Sequence, residues 1–309
     1  MTLHPQAKAF IEQLTLQQRP SWQELGVHEA REVFLTFEPM LGEAPELTRV
    51  EDHVLANRIP ARLYSDQTDH SPVVMFFHGG GWVLGNLETH DALCRRLAVN
   101  SGCTVVAVDY GRSPENTFPG PIDDCFAATK YVAENADSLK VDASRIAVAG
   151  DSAGGHLAAA VAIKARDESV PEIALQVLMY PVIEPNFDTV SYRDFASGFG
   201  LTRDNMIWFW EQFLGGADAC KEAIPSRALS HTGLPPAIVI TAQYDVLRDE
   251  GNQYARQLQN AGVDVTHREQ QGMLHAFLHF ADLFDTGVEV GRELAVEIGQ
   301  RLKSGRPRS

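Results

Sequence analysis

Three observations predict an α/β fold, with a mostly parallel central sheet flanked by helices. Short apolar, β-branched runs alternate with helix-forming stretches over most of the chain. One such run ends in a glycine-flanked serine with a helix-forming segment directly behind it, and another ends in three consecutive glycines. With 309 residues, 44% of them hydrophobic, the chain can bury the sizeable core that such a fold needs.

Residues 1–45 read as helices, with apolar positions such as Phe10, Leu14, Val33, Phe34 and Phe37 interrupted by Pro20 and Pro39. Extended segments follow at 47–55 and 58–64, the second carrying Pro60, which suits an edge strand or a bulge. Further strands are predicted at 73–77, 104–109, 145–149, 175–180, 237–241 and 263–269. The alternation breaks between Pro181 and Leu234, where TRDNMIWFWEQFLG reads as a helix capped by Thr202 or Asp204. Large apolar residues (Met206, Ile207, Phe209, Trp210, Phe213) cover most of its faces, as in a core helix or in a cap lying over a site. The final GRPRS, residues 305–309, reads as a frayed tail.

Composition excludes several classes of function. A formal charge of −15 without a long basic run argues against a nucleic-acid partner. Cys94, Cys103, Cys125 and Cys220 form no CxxC pair and offer no zinc site, and they read as reduced thiols of a cytoplasmic protein. The N-terminus lacks the charged start and apolar core of a signal peptide, and no apolar run approaches the ~20 residues of a membrane helix.

The serine of RIAVAGDSAGGHLAAAVA is Ser152, with Gly150 two residues before it and Gly154 two after. This G-x-S-x-G turn lifts a hydroxyl out of a sheet, and side chains at the glycines would collide with the neighbouring strand and helix. A plain turn would have the same residues, so the pattern needs partners. A serine nucleophile requires a histidine base oriented by a carboxylate, in the chain order Ser, Asp or Glu, His. Asp245 stands just past a strand end, whereas its acidic neighbours Asp249 and Glu250 fall inside the next helix. His275 stands in a glycine-containing loop after the last strand. His156, one turn past Ser152, reads as a packing residue. His275 and His279 are spaced to face a metal together, but no HExxH surrounds them and no third ligand is evident, so no metal and no other cofactor is expected. Upstream, VVMFFHGGGWVLGN runs a strand into glycines whose N–H groups can point into one cavity, and it lacks the signatures of a P-loop or a dinucleotide site.

In combination these segments resemble the hormone-sensitive-lipase family of α/β-hydrolases, in particular the bacterial GDSAGG esterases. The matching residues are HGGGW (78–82), VDY with SPE and FPG (108–120), GDSAGG (150–155), YPV (180–182), LPPA with YDVLRDEG (234–251) and GMLHAF (272–277), in the family's order. The resemblance implies an α/β-hydrolase core over 46–183 and 234–309, with a helical cap made by 1–45 and an insertion at 184–233. It implies Ser152 as nucleophile, His275 as base and Asp245 as its orienting acid. The oxyanion hole would be the N–H groups of Gly80, Gly81 and Ala153, with His78 and Asp151 in support. Trp82, Trp208, Phe209 and Trp210 are candidate pocket walls. Two departures stand out: DYGRSPE (109–115) where the family usually reads DYRLAPE, and Ala276 where it usually has glycine.

The implied activity is hydrolysis of short- to medium-chain acyl esters of small molecules. Rivals are an amidase or arylformamidase of the same fold, and a ligand-binding relative that has lost turnover, which would lack a triad member. No basic amphipathic helix offers a membrane anchor. Strands 237–241 and 263–269 would lie at one sheet edge, where related enzymes often form a homodimer.

Overall fold

The computed structural model describes residues 2–17 and 19–304, and the expected tail at 305–309 lies outside them. Eight strands form one sheet: β1 (Arg49–Leu55), β2 (Ile59–Ser65), β3 (Ser71–Phe77), β4 (Thr104–Val108), β5 (Val141–Asp151), β6 (Leu175–Met179), β7 (Ala237–Tyr244) and β8 (Val265–Leu274). Their order is β1-β2-β4-β3-β5-β6-β7-β8, antiparallel across β1, β2 and β4 and parallel from β4 through β8. All eight predicted strands are present.

Ten helices accompany the sheet among the described residues: α1 (Pro5–Gln17), α2 (Trp22–Leu35), α3 (Leu87–Ser101), α4 (Gly120–Glu134), α5 (Ala136–Leu139), α6 (Ala153–Glu168), α7 (Val190–Asp194), α8 (Arg203–Leu214), α9 (Arg248–Asn260) and α10 (Asp285–Ser304). The helices split the core in two. Val74 and Phe76 of β3 pack with Leu93 and Leu97 of α3 and Leu294 and Ile298 of α10. Val73, Met75 and Phe77 pack on the opposite face with Ile122 and Phe126 of α4, Leu157 and Val161 of α6 and Leu258 of α9. Coverage on both faces is why β3 reads as a continuous apolar run instead of an alternating one.

Two strands run further than their apolar patterns. β5 begins at Val141, before the predicted 145–149, because Asp142 and Ser144 break the periodicity while the backbone still pairs, Val141 with Ser71. β8 continues to Leu274 through the polar HREQQG. It is an edge strand with one neighbour, so its residues are only half covered and carry no continuous apolar signal. That extension matters, since His275 follows Leu274 directly.

The parallel strands also align their ends. Phe77 pairs with Gly150, Asp151 with Met179, Met179 with Ile240, and Tyr244 with Leu274. The loops holding the glycine run, Ser152, Asp245 and His275 therefore leave one edge of the sheet together, where α/β folds place their ligands.

The buried layer between α10 and the sheet should dominate stability. Ile298→Ala should cost about 2–5 kcal/mol in urea denaturation. Val296→Ala, at a position 39% exposed on the same helix, should stay within about 0.5 kcal/mol.

Candidate active site

The turn at Ser152 is forced by close approach. A Cβ on Gly154 would enter the Phe77 carbonyl oxygen, and one on Gly150 would strike the Gly154 backbone. Strand β5 thus meets α6 with almost no separation, and Ser152 takes φ 56°, ψ −119°, a strained conformation for a residue bearing a Cβ. The backbone around it is held on both sides: Ser152 N donates to Met179 O at 2.9 Å, and Val182 N donates to Ser152 O at 3.1 Å.

The side chain of Ser152 faces His275, with 2.9 Å between Oγ and Nε2. On the other side of the ring Nδ1 lies 2.7 Å from Asp245 Oδ2. Asp245 is buried, and its Oδ1 accepts from Leu247 N at 3.0 Å, which sets the carboxylate's orientation. Asp249 and Glu250 point elsewhere: Asp249 accepts from Ser191 N, and Glu250 accepts from Ile183 N.

The glycine run lies against the same turn. Gly80 and Gly81 have φ of 107° and 61°, values that glycine tolerates and other residues resist. Their N–H groups have no acceptor among the described residues. Ala153 opens α6, where the first N–H groups lack intrahelical partners and the helix dipole favours negative charge. Gly79 N donates to Asp151 Oδ1 at 2.8 Å, tying the loop to the strand that ends at the serine. Burial alone would raise the Asp151 pKa, but His90, His279 and the Gly79 N–H hold the carboxyl down to about 2. His78 donates from Nδ1 to Gly79 O at 2.9 Å, stacks on Tyr110 at 4.3 Å, and is pushed down to about 3, chiefly by burial. It is a neutral brace under the loop.

A cavity of about 520 Å³ opens over Ser152 and His275. Its walls come from α1 and α2 (Phe10, Leu14, Phe34), the turn after α2 (Phe37), the segment before α8 (Phe199, Leu201) and α8 itself (Met206, Phe209). Of the four expected pocket aromatics only Phe209 lines it. Trp208 and Trp210 do not, because helical periodicity sorts α8 into faces, and Trp82, in the glycine loop, is buried in the core. Thr202, Asn205, Met206 and Phe209 look into the cavity. Trp210 and Phe213 turn to the core, where Trp82 stacks on Phe213 at 4.4 Å and donates from Nε1 to His156 Nδ1 at 3.3 Å. Trp208 is left half-buried beside Phe209. Thr202 caps α8, accepting from Asn205 N, and His156 is the packing residue expected of it.

Sequence reasoning missed Arg31 on α2. Its Nε donates to Val83 O at 2.8 Å and its Nη2 to Ser113 O at 3.0 Å, while both Nη groups reach the Glu115 carboxylate at 2.7 Å. No local pattern marks an arginine whose partners lie more than fifty positions away. The altered DYGRSPE loop is absorbed in the same region, with Arg112 donating to Gly85 O at 2.7 Å.

Comparison with known proteins gives the family. A family model described as the alpha/beta hydrolase fold matches residues 74–279. The chain belongs to that family, in its hormone-sensitive-lipase-like branch. It is 40% identical to carboxylesterase NlhH of Mycobacterium tuberculosis over 81% of this chain and 82% of that one. Ethyl acetate hydrolase of Pseudomonas putida is 33% identical over 97% and 99%. Among solved structures, a hyperthermophilic esterase of Pyrobaculum calidifontis superposes with a TM-score of 0.91 at 40% identity, over 97% of this chain and 99% of that one. This α/β-hydrolase is a carboxylic ester hydrolase. Among the described residues no helix is long and apolar enough to cross a membrane.

Two tests follow from the loop geometry. Ala276 has φ 63°, the left-handed region that glycine occupies freely, so Ala276→Gly should stabilise the protein by up to about 1 kcal/mol in urea denaturation. Glu115 is held from 4.5 down to about 2, first by its hydrogen bonds to Arg31. Because its folded value is the lower one, the stabilisation is complete above pH 4.5 and disappears as pH falls toward 2. The melting-temperature gap between wild type and Glu115→Gln should therefore close across that window.

Proposed function

We propose that the chain is a serine carboxylesterase that hydrolyses short- to medium-chain acyl esters through an acyl-enzyme intermediate. The observation that carries this reading is the unbroken relay from Ser152 Oγ through the His275 ring to Asp245, at 2.9 and 2.7 Å, opening into an apolar cavity.

In the first step His275 Nε2 takes the Ser152 proton as Oγ attacks the ester carbonyl, and Asp245 holds the proton on Nδ1 and stabilises the imidazolium. The N–H groups of Gly80, Gly81 and Ala153 receive the developing oxyanion, a contribution worth about 10²–10³ in rate per donor. The alcohol leaves with the proton from His275. Water then attacks the acyl-enzyme by the same route and releases the acid. Neutral His78 and ionised Asp151 hold the glycine loop and take no proton.

The size of the cavity and its aromatic walls support small and medium acyl groups. So does the name of the Pseudomonas putida relative, whose ester is ethyl acetate. The same reading places the protein in the cytoplasm and pairs two copies through the free edge of β8, whose outer N–H and C=O groups face no neighbouring strand.

The test is hydrolysis of p-nitrophenyl esters from acetate to palmitate, by wild type and Ser152→Ala in parallel. Rates should peak at the shorter chains and fall by at least about 10³ in the variant. Equal rates in both proteins would reject the serine mechanism. A rise toward palmitate would reject the chain-length assignment, and turnover of amides alone would make the enzyme an amidase.

A further inference from the structure

Three groups outside the Ser152–His275–Asp245 relay converge on the cavity wall beside the nucleophile. They are His90 on α3, Asp151 at the end of β5 and His279, four residues past His275. All are buried, and one donor atom from each lies within 4.8 Å of the others. The sequence offered no third ligand for a His275/His279 pair. The fold takes His275 into the relay and gives His279 two different neighbours from distant segments.

The hydrogen bonds around His90 define its polarity. The Thr89 hydroxyl donates to Asn86 O at 3.0 Å, so its oxygen can only accept from His90 Nδ1, 2.9 Å away. With Nδ1 as donor, the lone-pair position of the ring is Nε2, which faces Asp151 Oδ1 at 3.2 Å. The Gly79 N–H is shared between these two acceptors, 3.3 Å from His90 Nε2 and 2.8 Å from Asp151 Oδ1, so both atoms present lone pairs toward one centre of positive charge. A second observation points the same way. His279 Nδ1 is buried without a hydrogen-bond partner among the described residues, and the ring is held between His90 at 4.3 Å and Phe34 at 6.3 Å.

We propose that His90, Asp151 and His279 form a binding site for a borderline divalent cation, best matched by Zn²⁺, on the wall of the substrate cavity. Two imidazoles and one carboxylate with a fourth position open to the cavity are a donor set that suits zinc. Tetrahedral ligands about 2 Å from the ion stand roughly 3.3 Å apart. The His90–Asp151 pair already has that spacing at 3.2 Å, and small side-chain rotations bring His279 in from at most 4.8 Å. The Thr89 bond on Nδ1 is the outer-shell contact that fixes a ligating tautomer. The cavity supplies the entry path. An ion there would draw on the carboxylate that anchors Gly79 N, so occupancy should slow hydrolysis reversibly.

Binding is measured independently of turnover. The full chain, stripped with EDTA and dialysed, is titrated calorimetrically with zinc chloride, alongside His279→Leu and His90→Asn, each checked for folding by circular dichroism and melting. The expected result is one equivalent of zinc per chain, unaffected by excess magnesium, with affinity falling by at least about 10-fold in each variant. Should His90→Asn fail to fold, Co²⁺ in place of zinc decides: wild type should show the intense visible bands of a four-coordinate ion, and His279→Leu should not. Absence of stoichiometric binding to wild type would overturn the proposal. So would an equivalent that survives in His279→Leu, or one lost only in His275→Ala, which would put the ion on the relay.

Discussion

The hydrogen bond from Gly79 N to Asp151 Oδ1 joins the two halves of this site. One end belongs to the glycine loop after β3, the other to the last residue before Ser152. Both strands end at the same level of the sheet, so a bond between adjacent loops sets where Gly80 and Gly81 stand relative to Ser152. A buried carboxylate is costly unless its oxygens are satisfied. Asp151 Oδ1 and His90 Nε2 both accept from Gly79 N, so loop, strand end and α3 adopt one arrangement together.

Close backbone contact does the rest. Gly150 and Gly154 bring β5, α6 and the end of β3 into contact, and the strained Ser152 backbone is held by its bonds to Met179 and Val182 at the end of β6. The relay then requires only that β7 and β8 end beside β5 and β6, and their pairing puts Asp245 and His275 there. Asp245, oriented by Leu247 N, and His275, aligned by Asp245, are each held by the neighbour before them.

Helices that precede and interrupt the sheet close the cavity. Helix α2 is bolted to the glycine loop and to the 113–115 turn through Arg31, so the wall that carries Phe34 is tied to the loop that carries Gly80 and Gly81. Helix α8 is pinned from beneath by the Trp82–Phe213 stack, while His156 donates to Ala223 O of the same insertion at 2.8 Å. The cavity wall and the glycine loop are therefore joined directly, by the Arg31 Nε bond to Val83 O.

The amino-acid sequence alone determined the eight strands, the order Ser152, Asp245, His275, and the glycine loop. Each of these is written locally, in apolar runs, in residues demanded by a sharp turn, and in chain order. The polar beginnings and ends of β5 and β8 were not legible, because backbone pairing at a bulge or a sheet edge leaves no apolar period. Only the tertiary structure decided which aromatic side chains line the cavity. Met206 and Phe209 differ from Trp210 and Phe213 by a rotation about one helix, and that rotation is set by packing against Trp82. It also decided that Arg31 holds Glu115 and that His279 meets His90 and Asp151. Those contacts join residues dozens to nearly two hundred positions apart, and nothing in the local sequence encodes which distant partner a side chain will meet.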